Sequence, residues 1–136
     1  MFCREQIAQL CDVAPEISAA GAALVGIGNG TPAQAAALGA AARVPFPLYA
    51  DPSRRSYRAA GLRRSWVRVL DPRVFLSARK ARRTGARQVG IQGDPWQLGG
   101  VLVFDASGRL VWRQQSRFPG DHAAPADILQ ALRSAV

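Results

Sequence analysis

Lysine, histidine and cysteine are nearly missing from this chain. Lys80 is the only lysine, His122 the only histidine, and Cys3 and Cys11 the only cysteines. One histidine and two separated thiols make no recognised metal-ligand spacing, and no cofactor is implied. Two cysteines cannot build a disulfide scaffold, so the cytoplasm is the expected compartment. No stretch approaches the roughly 18 apolar residues of a membrane span. Arg4, Glu5 and Asp12 interrupt any early apolar run of the kind a signal peptide needs. A Gly-x-Ser-x-Gly elbow, a phosphate loop, an internal repeat and a low-complexity linker are all lacking, so 136 residues read as one domain, 1–136.

Acidic residues are also scarce: nine against eighteen basic ones, a formal charge of +9 carried almost wholly by arginine. Between Arg54 and Arg87 the only acid is Asp71. Such a charge attracts polyanions nonspecifically. The excess runs through the whole chain, however, and no RNA-reading aromatic motif accompanies it. Arginines spread over a solvated surface are therefore the favoured reading, with no specific nucleic acid as partner. Arg79, Lys80, Arg82 and Arg83 form the densest basic cluster, late in an expected helix, where cations complement the dipole.

Periodicity orders the elements. Ile7, Leu10, Cys11, Ala14 and Ile17 recur at helical spacing and predict a helix over about 3–18. On that stripe Cys11 reads as a buried, inert core residue. A Cys3–Cys11 disulfide is not expected in an intact helix, because eight residues span about 12 Å and bridged Cα atoms lie within about 7 Å. Ala22–Ile27 reads as a buried strand before the turn Gly28-Asn29-Gly30. A dinucleotide loop there would need a third glycine where Ala33 stands, so a simple capped turn is preferred. Thr31, Pro32 and Gln34 form a capping box opening a helix to about Ala42. Pro45 to Pro52 is an extended, proline-fenced edge segment, and Ser53 to Ala60 a short helix ending at Gly61.

Asp71-Pro72 opens a further expected helix to about Arg83, with Gly85 and Gly90 in the loop after it. Val101–Phe104 and Leu110–Trp112 flank Asp105-Ala106-Ser107-Gly108 as a hairpin. Pro125 opens a last helix, with Ile128, Leu129 and Leu132 inward. His122 beside Asp121 falls in the preceding turn, where a surface or capping role is expected.

Across this order the chain resembles the peroxiredoxin-like (AhpC/TSA antioxidant) branch of the thioredoxin-like superfamily. The resemblance rests on Phe2-Cys3-Arg4-Glu5-Gln6, Leu24 to Gly28, Phe46 to Arg54, Tyr57, Gly61-Leu62, Gly93 to Gly100 and Pro119 to His122. It implies a thioredoxin-like three-layer α/β/α domain and thiol-disulfide or peroxide chemistry. A thiol reductant such as thioredoxin or a low-molecular-weight thiol would be the partner. Cys3-Arg4-Glu5 matches the second half of a Cys-x-x-Cys-Arg-Glu motif, which implies that Cys3 is the resolving or sole remaining redox thiol, the alternative being a small core residue. Arg4, Glu5, Asp94, Trp96 and Gln97 are its expected neighbours, and Gly99-Gly100 stand where such proteins usually hold a cis-proline.

The position of the first cysteine would fall before Met1, and the strand that carries it would be the first, central one of the sheet. An N-terminally shortened form, with impaired or absent activity, is the resulting expectation. Its central strand would belong between Ala22–Ile27 and the hairpin. Without it, poor stability, closure of the two halves on each other, or a homodimer through exposed strand edges would follow. The alternative is a non-enzymatic basic binding or assembly module with a thioredoxin-like body.

Overall fold

A computed structural model describes residues 2–62, 76, 97–118 and 120–135. Helix α1 runs Phe2–Ala19, despite Pro15 inside it. Proline has no N–H to give the carbonyl four residues back, here that of Cys11. The apolar stripe delivers Leu10, Val13 and Ile17 to the core, Ile17 only 3% exposed.

Strand β1 is Gly26–Gly28, helix α2 Pro32–Ala42 and strand β2 Leu48–Ala50. The capping box forms as the residues predict. Thr31 Oγ1 accepts the Gln34 N–H, and Gln34 Oε1 accepts the Thr31 N–H. β1 and β2 pair in parallel, with Gly26 opposite Leu48 and Ile27 opposite Tyr49. α2 lies on the Leu48 face, where a methyl on Gly39 would make an ordinary contact, 3.6 Å, with Leu48 Cδ1.

The expected buried strand 22–27 is therefore corrected twice. Only three residues are laddered, because β2 offers partners only from Leu48 to Ala50. The face opposite α2 is open, leaving Val25 51%, Ile27 47% and Tyr49 57% exposed. Gly26 and Gly28 turn their backbone groups toward β2, as the bonds Gly26 N–H to Pro47 O and Asp51 N–H to Gly28 O show. Parallel alternation thus turns Ile27 outward, and its carbonyl accepts the Tyr57 hydroxyl at 2.8 Å.

Helix α3, Arg55–Ala59, is shorter than the expected 53–60 because Asp51, not a residue at the helix boundary, anchors its start. The Asp51 carboxylate accepts from Ser53 Oγ, Ser56 Oγ and Ser56 N–H. Those bonds, the Ser53 one foremost, hold its pKa down to about 2. A group depressed in this way stabilises the fold above its ordinary value near 4 and loses that contribution as pH falls toward 2. Asp51→Asn should therefore flatten the acid limb of a stability profile between about pH 4 and 2. An unchanged limb in that window would show that the serine bonds are not made in solution.

The expected helix from Asp71 to about Arg83, with its basic cluster, lies outside the described residues except for Leu76, which is helical and exposed. The hairpin is longer than expected: β3 is Gly100–Phe104 and β4 Leu110–Gln115, with a bulge between Val103 and Phe104. Asp105 Oδ1 accepts from the Ser107 and Arg109 N–H groups and fixes the turn. Helix α4, Pro125–Ala135, buries Ile128 and Ala131 and sets Leu129 and Leu132 against them.

Among the described residues β1–β2 and β3–β4 are two separate two-stranded sheets. The core under the hairpin is Ile17, Ala123 and Ile128, surrounded by Leu10, Val13, Ala22, Leu24, Val101, Trp112, Leu129 and Leu132. α1 and α4 meet each other there, and α4 covers the face of the hairpin that carries Val101 and Trp112. On the opposite hairpin face Arg113 and Gln115 donate to the Ala60 and Gly61 carbonyls. The mixture of helices with two small sheets gives the α/β character expected.

Candidate functional site

The first turn of α1 holds Cys3, Arg4 and Glu5. Its unsatisfied N–H groups make this end of the helix partially positive. Glu5 is exposed and complements that charge, while Arg4 is half-buried. Eight residues further on, Cys11 is a free thiol, half-buried rather than buried as its place on the stripe predicted. The correction is geometric: Leu10, Val13 and Ile17 make the core contacts, and at about 100° per residue Cys11 stands at the border of that face. Desolvation, then the charge of Asp12, pushes its thiol pKa up. The thiolate is thus disfavoured at Cys11.

Of the loop expected to face α1, Asp94 and Trp96 lie outside the described residues, so a meeting with Cys3 is not on view. Gln97 is half-buried, and its Nε2 donates to the Leu98 carbonyl at 2.9 Å. Leu98 is 4% exposed and fixes the loop to the interior. The Gly99 carbonyl accepts the Ser116 N–H, extending the hairpin ladder by one residue.

The turn before α4 differs from its expected surface role. Both ring nitrogens of His122 are buried, because Ala123 beside it is a core residue. Burial pushes the Asp121 carboxyl up, but hydrogen bonds and charge from Arg117, with His122 adding, hold it below the usual range. Arg117 reaches it through both its backbone N–H and Nε, each at 2.9 Å. Among the described residues no three His, Cys, Asp or Glu side chains are grouped to hold a metal ion. Nor is any described helix long and apolar enough to cross a membrane.

Sequence reasoning missed the contacts that position α3. Tyr57 bonds Ile27, and Arg113 and Gln115 bond Ala60 and Gly61, over separations of 30, 53 and 54 residues. No local pattern announces such pairs.

A family model described as AhpC/TSA antioxidant enzyme matches residues 9–117. The matched span begins after Cys3 and takes in Cys11 and all four described strands. No curated protein matches the chain.

Proposed function

Because the chain belongs to the AhpC/TSA antioxidant enzyme family, a thioredoxin-like family of thiol-dependent antioxidant proteins, we propose that it is a peroxiredoxin-like thiol–disulfide oxidoreductase with Cys3 as its redox thiol. The contrast between its two cysteines carries this reading. Cys11 has a raised pKa, which keeps it protonated and a poor nucleophile. Cys3 occupies the first turn of an 18-residue helix, a position that in general lowers a thiol's pKa.

In the chemistry proposed, the Cys3 thiolate attacks one peroxide oxygen. The O–O bond breaks, water or an alcohol leaves after taking up a proton, and Cys3 becomes a sulfenic acid. A reductant thiol then condenses with it, releasing water and forming an S–S bond. A second thiol attacks that bond, restores Cys3 and leaves as the oxidised reductant. Both electrons come from the reductant, a thioredoxin or a low-molecular-weight thiol. Cys11 is about 12 Å along the same helix and cannot serve as an internal resolving thiol. Turnover is accordingly impaired relative to a site with two cysteines one helical turn apart. Arg4, Glu5, Asp94, Trp96 and Gln97 are proposed to line the approach to the thiol.

Dithiol-coupled peroxide consumption tests the assignment. Cys3→Ser is expected to lower the rate at least tenfold, to the uncatalysed background, and Cys11→Ser to leave it within twofold. After a single addition of peroxide, sulfenic acid trapping should label the Cys3 peptide. The reverse pattern, with Cys11 labelled and required, would overturn the reading.

A further inference from the structure

The strand edges of the two small sheets are not equally protected. Charges, prolines and bulges keep an open edge from pairing with another chain. In β1 the backbone groups turned away from β2 are those of Ile27, and the Tyr57 hydroxyl already occupies its carbonyl. β2 is only Leu48–Ala50, closed in by Pro47 and Pro52. β4 carries the charge of Arg113 on its outer edge, and its register slips past Val111.

β3 has none of these devices. The Ser116 N–H bonds the Gly99 carbonyl and the Asp105 N–H bonds the Arg109 carbonyl, so Gly99, Val101, Val103 and Asp105 face β4. Gly100, Leu102 and Phe104 therefore turn their N–H and C=O groups away from it. Among the described residues no partner meets those groups. From Gln97 to Phe104 the chain has no charge and no proline, and Phe104 is 55% exposed.

The three outward residues are evenly spaced about Leu102, so this edge matches a second copy of itself. Run antiparallel across a two-fold axis, the two strands set Leu102 against Leu102 and Gly100 against Phe104, each pair exchanging two backbone bonds. Glycine leaves room for the ring opposite it. Leu62, whose Cδ2 would lie 2.9 Å from a methyl on Gly100, gives that ring an apolar neighbour. Two copies, each with a formal charge of +9, thus meet along a stretch where neither is charged. A polyanion would find no cation there. We propose that two copies of this chain pair through Gly100–Phe104, antiparallel about Leu102, into one sheet continuous across both. This gives the homodimer expected through exposed edges a particular strand and register. It is independent of the redox assignment, since it uses neither cysteine.

Sedimentation equilibrium over a range of protein concentrations tests it. The parent chain should show a monomer–dimer equilibrium that added salt strengthens, because screening relieves the repulsion between two basic copies. Leu102→Glu and Leu102→Lys each set like charges face to face across the axis and should each weaken association by about tenfold or more. Mixing the two variants should restore it to within about threefold of the parent, which a folding defect would not allow. Val111→Lys, on the outer edge of β4, should change association by less than about twofold. If the Leu102 variants fail to fold, amide exchange in the parent decides. Gly100, Leu102 and Phe104 must then slow as concentration rises, while Val101 and Val103, already bonded to β4, do not. The proposal is overturned by a parent that stays monomeric, by association that neither Leu102 variant alters, or by no recovery on mixing. A monomeric parent whose edge amides are protected by a peptide copying residues 99–105 would assign the edge to a foreign strand and overturn it equally.

Discussion

Ile128→Ala is expected to destabilise the chain by about 2–5 kcal/mol, the larger of two expected effects on stability. Ile128 is 3% exposed and joins Ile17 and Ala123 at the centre of the core. Around that centre stand residues of α1, of the segment leading into β1, of both hairpin strands and of α4. Deleting three carbons there opens a void inside the cluster on which these elements pack. Among the described residues no large side chain falls below 2% exposure. The site can therefore partly collapse, which favours the lower half of that range. Urea denaturation should show the loss as a lowered midpoint with an unchanged slope. Leu129→Ala, on the same helix but half-buried, should cost less. A loss at Ile128 below about 1 kcal/mol would mean that α4 does not pack on α1 and the hairpin in solution.

This core also shows which parts of the molecule were legible in the residues. The stripe of α1, the Thr31–Gln34 box, the Asp105–Gly108 turn and the inner face of α4 are local patterns, and each predicted its element to within a few residues. The capping box is the clearest case, because both of its bonds are made between groups three residues apart. What the residues concealed was long-range. Ala22–Ile27 looked buried because it is apolar, yet α2 covers only one of its faces. Cys11 looked like core because it shares a stripe with Leu10 and Ile17, and a rotation of about 100° moves it to the border. His122, expected at the surface, is drawn in by its neighbour Ala123. Arg113 read as one more solvated charge, whereas it clamps the end of α3 from 53 residues away.

The candidate site was legible in a different sense. Cys3 and Cys11 could both be named from the sequence. Burial and the Asp12 charge raise the pKa of Cys11, while Cys3 is singled out by its place in the first turn of α1. The expected neighbours Arg4 and Glu5 follow from adjacency within a single turn. Asp94 and Trp96 lie outside the described residues, so their approach to Cys3 stands as part of the proposal.

The second large effect falls on the loop-to-strand junction that leads from Gln97 into the hairpin. Gly99 and Gly100 are adjacent and chemically identical, yet their surroundings demand opposite outcomes. A methyl group on Gly100 would stand 2.5 Å from the Gln114 carbonyl oxygen, 2.9 Å from Leu62 Cδ2 and 3.4 Å from Gln115 Cα. Leu62 can turn aside, but two of the three atoms are backbone, and Gln114 is paired with Val101 in the ladder. Relieving the clash means moving β4 away from β3 or giving up that pairing. Gly100→Ala is therefore expected to cost about 1–3 kcal/mol and to disturb the amide signals of Val101 and Gln114 together. A methyl on Gly99 would meet nothing within 4 Å. Gly99→Ala should thus lie within about 0.5 kcal/mol of the parent or gain slightly, since it restricts the unfolded chain. The pair tests the hairpin's register. If the two alanines cost the same, Gly100 is not held against Gln114 and Gln115 in solution. A loss confined to Gly100 would place the junction at the spacing described, with Gln97 and Leu98 held just ahead of it.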